Sequence, residues 1–174
     1  EVRFRRAVED NPKYADALAN LGITLAGEGR FAEAEPSIQA GLALSPDNIA
    51  ALAALGAVEG HLGHTDQTVQ AFRRMVALRP NSAEAHWNLG IALTTASDKE
   101  GALAEFTAAV ELAPNNAPAH YGRGRALFDL RRLDEARNEL ETAIRLQPQY
   151  PEAFYTLALL ERQSGALERS CYWL

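Results

Sequence analysis

The sequence predicts an all-α chain, an α-solenoid built from 34-residue helix-turn-helix repeats, and three observations carry that prediction. Prolines Pro12, Pro46, Pro80, Pro114 and Pro148 recur every 34 residues without a slip. Glycines Gly22, Gly56, Gly90 and Gly124 form a second column at the same period, with Ala158 in the next place. Apolar residues inside each unit fall at i, i+3, i+4 and i+7, the spacing of one helix face. Aligned on the prolines, the chain reads as one array over 1–174. A half repeat at 1–14 precedes full repeats at 15–48, 49–82, 83–116 and 117–150, and an incomplete repeat at 151–174 follows.

In the first half of a unit, Leu18, Leu21, Gly22 and Leu25 mark the core face of one helix. In the second half, Phe106, Ala109, Val110 and Ala113 mark another. Gly29, Gly63 and Gly165 punctuate the turn between them. Each Leu-x-Pro, such as Leu44-Ser45-Pro46, ends the second helix, because proline lacks an N–H and disfavours helical geometry in the residue before it. A glycine inside a helix costs up to about 1 kcal/mol against alanine, so the recurring one needs a compensating close approach. The small column Ala34, Ala102 and Ala136, interrupted by Thr68, is the expected partner. Phe4, Phe72 and Phe106, interrupted by Ile38 and Leu140, form an aromatic column. Pro36, several residues into a second helix, predicts a kink or a late helix start. Glu105 reads as an exposed position of a second helix.

Composition narrows the function. The net charge of −6 comes from 23 acidic and 17 basic side chains interleaved along 174 residues, which argues against a general nucleic-acid surface. The longest apolar stretches, such as Ile49 to Val58, fall far short of the roughly 20 residues that cross a bilayer. A single cysteine, Cys171, forms no internal disulfide, so a reducing, cytoplasmic setting suits the fold.

Taken together, these columns resemble the tetratricopeptide repeat family over all 174 residues. The resemblance implies a right-handed superhelix whose first helices line a concave face. Against the family pattern, the bulky aromatic near the start of the first helix is replaced by Leu18, Leu52, His86 and His120, and only Phe154 keeps the type. Arg123 stands where a core leucine is usual. The stripe beside the core face runs through Ala19, Ile23 and Ala26, then Ala53, Ala57 and Gly60. It continues through Trp87, Ile91 and Thr94, then Tyr121, Arg125 and Phe128, then Tyr155, Leu159 and Arg162. Bulky anchors of a partner segment are expected on Trp87, Tyr121 and Tyr155, with Arg125 and Arg162 as handles for a carboxylate. Asn20 and Asn88 occupy the column in which some arrays of the family hold a peptide backbone, and Ala54, Gly122 and Thr156 break it. The clamp that takes acidic chaperone tails is absent, since its basic positions read Ala19 and Ala53.

Chemistry is not legible. The sequence carries no Gly-rich phosphate loop, no His-Glu-x-x-His helix and no cysteine pair with ligand spacing. His61 and His64 lie three apart near a turn, but two ligands without a carboxylate make a poor metal site. His86 and His120, one repeat apart, could face each other across adjacent helices and read as partly buried replacements for the aromatic. No catalytic residue, cofactor or metal is therefore expected. The reading is a scaffold or adaptor whose partner is a protein or peptide, with no nucleic acid and no membrane. The alternative is the substrate-recruitment region of a larger, transferase-type enzyme, since the family implies such pairings. The third class, single-stranded RNA binding, fits poorly with the strict period and acidic balance. Finally, Val2, Phe4, Ala7 and Val8 at one end and Cys171, Tyr172, Trp173 and Leu174 at the other predict exposed apolar area and end-to-end self-association.

Overall fold

The computed structural model describes residues 1–10 and 14–164. Pro12, Gly165 and the residues at the chain end named above lie outside them. Ten helices follow one another among the described residues, and no helix there is long and apolar enough to cross a membrane. They are α1 (Val2–Asp10), α2 (Ala15–Gly27), α3 (Phe31–Leu44), α4 (Ile49–Leu62) and α5 (Thr65–Leu78). Then come α6 (Ala83–Thr95), α7 (Lys99–Leu112), α8 (Ala117–Asp129), α9 (Leu133–Leu146) and α10 (Pro151–Gln163). The chain divides into two compact units, Glu1–Pro80 and Asn81–Leu174.

Each proline does what its chemistry requires. The second helices α3, α5, α7 and α9 end at Leu44, Leu78, Leu112 and Leu146, two residues before Pro46, Pro80, Pro114 and Pro148. Two residues after three of those prolines, a capping side chain starts the next helix: Asn48 and Asn116 accept from the amides of Ala51 and Ala119 at 3.0 Å, and Ser82 from Ala85 at 3.2 Å.

Within a unit the turn between helices is a fixed device. Gly29 and Gly63 adopt left-handed φ of 76° and 80°, and in the same repeat position Ser97 and Arg131 do so at 63° and 64°. The left-handed residue folds the chain back, so that the amides of Arg30, His64, Asp98 and Arg132 donate to the carbonyls of Leu25, Glu59, Leu93 and Leu127 at 2.8–2.9 Å.

Two expectations are corrected. The glycine column approaches the aromatic column more than the Ala34 column: a methyl group at Gly56 would lie 2.5 Å from the Phe72 ring, and one at Gly90 2.7 Å from Phe106. Only Gly22 meets the Ala34 carbonyl, at 2.9 Å, and it meets Ile38 more closely still. The ring of Phe106 lies against both Gly90 and Gly122, so a flat aromatic fills the room that the two absent side chains leave. Pro36 causes no late start either. Helix α3 begins at Phe31, the same repeat position as Thr65, Lys99 and Leu133, and runs through the proline to Leu44.

Candidate functional site

The first helices of the second unit, α6, α8 and α10, carry nine of the candidate peptide-binding residues. Trp87, Asn88 and Ile91 lie on α6, Tyr121, Arg125 and Phe128 on α8, and Tyr155, Leu159 and Arg162 on α10. None of the nine is fully buried, and Ile91 and Tyr155 stand out as large apolar groups left exposed, Tyr155 at 58 %. Asn20, exposed, and Ile23, half-buried, belong to α2 of the first unit. Among the described residues, the side-chain amides of Asn20 and Asn88 make no hydrogen bond.

The stripe is notched between consecutive first helices. A cleft of about 270 Å³ between α6 and α8 is lined by Ala83, Glu84, Trp87, Asn116, Pro118 and Ala119. One of about 260 Å³ between α8 and α10 is lined by Tyr121, Arg125, Pro151, Glu152, Tyr155 and Thr156. Trp87 packs its inner edge on Ala109, Val110 and Ala119, while Tyr121 and Phe128 pack on the core around Leu140 and Leu157. These aromatics are therefore half anchored and half presented. Tyr121 also meets the Tyr150 ring, tilted by 50° at a centroid distance of 5.1 Å. Burial there, with the neighbouring Tyr121 and Glu152 adding to it, pushes the Tyr150 hydroxyl up to about 12. Arg125 reaches its helix neighbour Asp129 only loosely, at 3.4 Å, which leaves the guanidinium able to turn toward a carboxylate in the cleft.

The second helices hold polar residues that the sequence does not single out. His86 and His120 each meet a glutamate of their own repeat. His86 Nδ1 lies 2.6 Å from Glu105 Oε2, and His120 Nδ1 lies 2.8 Å from Glu139 Oε2, each glutamate 19 residues further along in the same repeat. Glu105 is thus half-buried against a histidine and not the exposed residue its position suggests. Arg123 keeps its misplaced charge by pairing with the same Glu139. A signal for this was available: the positions equivalent to Glu105 are Ser37 and Ala71 in the repeats that carry Leu18 and Leu52, so histidine and glutamate enter together. A cleft of about 430 Å³ opens beside this network, lined by Leu103, Thr107, Arg123, Leu127, Arg132, Glu135, Asn138 and Glu139.

His61 and His64 separate. The His61 ring stacks on Phe31 at 4.1 Å and 9°, while His64 Nδ1 lies 2.7 Å from Oε2 of the buried Glu59. The carboxylate partner missing from the sequence pattern is present, supplied by the preceding helix.

A Tetratricopeptide repeat family model matches residues 1–58 and 93–160, and a second matches residues 54–117. The chain belongs to the tetratricopeptide repeat family. Solved TPR proteins share its all-α solenoid fold at low sequence identity. The MamA protein of Desulfovibrio magneticus RS-1 is 21 % identical with a TM-score of 0.85, covering 91 % of this chain and 90 % of its own. YrrB, described as a TPR protein with an unusual peptide-binding site, is 21 % identical with a TM-score of 0.82, covering 98 % and 88 %. A thermophilic TPR protein of Thermus thermophilus is 24 % identical with a TM-score of 0.70, covering 91 % and 87 %. No curated protein sequence matches the chain.

Proposed function

We propose that this TPR chain is a binding module, not an enzyme, and that it takes a peptide segment of a partner protein along the first-helix stripe of its second unit. The observation that carries the reading is the cleft between α8 and α10, where the exposed Tyr155 ring, the half-anchored Tyr121 ring and the loosely held Arg125 converge. Rings fixed on one side and open on the other bind at little entropic cost, and an arginine beside them selects a carboxylate. The segment that fits is short and apolar or aromatic with an acidic group next to it. Trp87, in the neighbouring cleft, takes a second apolar side chain, and the unbonded Asn88 amide suits a main-chain group. That the similar YrrB is described with a peptide-binding site supports the class of ligand, although the two chains share only 21 % identity.

A panel of short peptides pairing aromatic with acidic residues, titrated against the chain by calorimetry, tests the reading. Trp87→Ala, Tyr121→Ala and Tyr155→Ala are each expected to weaken binding by about 1–4 kcal/mol while the circular dichroism spectrum stays helical. Unchanged affinity in all three variants would sink it.

A further inference from the structure

Among the described residues of the first unit, Glu59 is the buried carboxylate. It sits on α4 with its side chain 2 % exposed, and among the described residues its only side-chain partner is His64. A buried carboxylate without a compensating cation costs several kcal/mol, so something must neutralise it. The repeat shows how this is done elsewhere. Glu161 of α10 occupies the same repeat position as Glu59 and is equally buried. It is held by Arg137 of the preceding second helix, Nε to Oε1 at 2.8 Å. The position equivalent to Arg137 beside Glu59 is Glu35 of α3. Where one junction brings an arginine to the buried glutamate, the other brings a second carboxylate.

Two carboxylates at such a place need a proton or a cation to neutralise them, and a bound metal ion is one such cation. Here the ligand atoms of Glu35, Glu59 and His64 all lie within 4.8 Å of one another. Zinc takes oxygen and nitrogen donors at about 2.0–2.2 Å, which puts tetrahedral donors roughly 3.3 Å apart. The 2.7 Å between His64 and Glu59 and the 4.8 Å outer limit bracket that spacing, so small side-chain rotations suffice. The three donors come from separate elements and are held independently. Gln39 Nε2 donates to Glu35 Oε1 at 2.9 Å and orients it, as outer partners orient metal-bound carboxylates. Gly63 in its left-handed conformation turns His64 back over the last turn of α4, with the His64 amide on the Glu59 carbonyl at 2.8 Å. The His64 ring is 45 % exposed, which gives an ion a way in past the sealed Glu59. In sequence, the residue that follows Glu161 at the repeat position equivalent to His64 is Ala166, which has no side-chain donor atom.

We infer that Glu35, Glu59 and His64 form a binding site for a divalent transition-metal ion at the junction of α3, α4 and the turn into α5. One imidazole and two carboxylates suit zinc, with manganese, iron and nickel as chemical neighbours. The His64 Nδ1 proton leaves for Nε2 or solvent, the freed lone pair binds the ion, and the fourth place stays open to water. This site is independent of the peptide stripe on α6, α8 and α10.

Zinc titrated by calorimetry into the metal-stripped chain, in a Cys171→Ser background that removes the one thiol, tests it. One ion per chain is expected, with a rise in thermal midpoint, and cobalt should give a visible spectrum of nitrogen and oxygen ligation. Glu35→Arg is the decisive variant, because it installs the Arg137–Glu161 arrangement: the thermal midpoint of the metal-free chain should hold or rise while zinc affinity falls by at least about 100-fold, the upper end of what loss of an outer-shell partner costs. His64→Asn should weaken zinc comparably, and His86→Asn should leave it unchanged. Absence of stoichiometric uptake by the starting chain, or uptake that Glu35→Arg leaves intact, overturns the site.

Discussion

Arg137 Nε and Glu161 Oε1 lie 2.8 Å apart and bridge α9 to α10, and Asp134 holds the other side of the guanidinium at 3.0 Å. Glu161 is buried and Arg137 is largely so, and the hydrogen bond to that carboxylate raises the guanidinium pKa. Removing one member strands the other. Arg137→Ala is expected to destabilise the chain by about 3 kcal/mol. The repeat also contains the apolar alternative, since the equivalent pair one repeat earlier is Leu103 and Leu127. The double variant Arg137→Leu/Glu161→Leu should therefore be neutral or more stable. Urea unfolding of the three proteins decides it, and a double variant no better than Arg137→Ala would refute the equivalence.

The Phe106 ring leaves no room at Gly90. Gly90→Leu should cost at least about 3 kcal/mol, because the ring is already held from the other side by Gly122 and cannot retreat. Gly27→Ala is the control: nothing lies within 4 Å of a methyl group there, and it should be neutral or gain up to about 1 kcal/mol of helix propensity. Melting curves that fail to separate the two would refute the packing account.

Ser97 and Arg131 hold a left-handed backbone that glycine adopts without strain. Ser97→Gly and Arg131→Gly should each stabilise the chain by about 1 kcal/mol, somewhat offset by the greater freedom of glycine in the unfolded state. The reverse change, Gly63→Ser, should destabilise by a similar amount in chemical denaturation. Opposite signs at the two positions would break the equivalence of the turns.

Tyr150 supplies a pH dependence whose sign is fixed. Its folded hydroxyl titrates at about 12, above the ordinary tyrosine value of 10.0, so the folded state keeps its proton more tightly than the unfolded one. The contribution is fully present below pH 10 and is lost as pH rises through 12. Tyrosinate absorption should show one ring ionising late, and Tyr150→Phe should remove both that late step and its share of the alkaline loss of stability. An absorption titration unchanged by the substitution would assign the effect elsewhere.

Period made the fold legible. The prolines at a spacing of 34 residues mark where α3, α5, α7 and α9 end, and the four glycines at the same spacing mark where a first helix is closely approached. The turn at Ser97 and Arg131 is harder to read because no glycine marks it, although the 34-residue offset from Gly63 points to it. The stripe on α6, α8 and α10 follows from helical periodicity alone, whereas the charged pairs do not. His86 with Glu105, Arg137 with Glu161, and Glu59 with Glu35 join residues 19 or 24 apart, offsets set by how two helices lie against each other and not by the period of either. Reading a polar residue in one helix against its counterpart in the next, column by column, recovers all three.

The repeats share one backbone but not one chemistry at their seams. At the pair of positions 24 residues apart, one seam carries Glu35 and Glu59, a later one Leu103 and Leu127, and the last Arg137 and Glu161. Helical hairpins of identical length can nest in the wrong order during folding, the hazard particular to repeat chains. A hairpin displaced by one unit would set Leu103 against Glu161 and bury that carboxylate against a hydrocarbon wall. The Arg137–Glu161 seam thus acts as a keyed joint: a hairpin that brings another residue to the place of Arg137 leaves Glu161 buried and its charge unmatched.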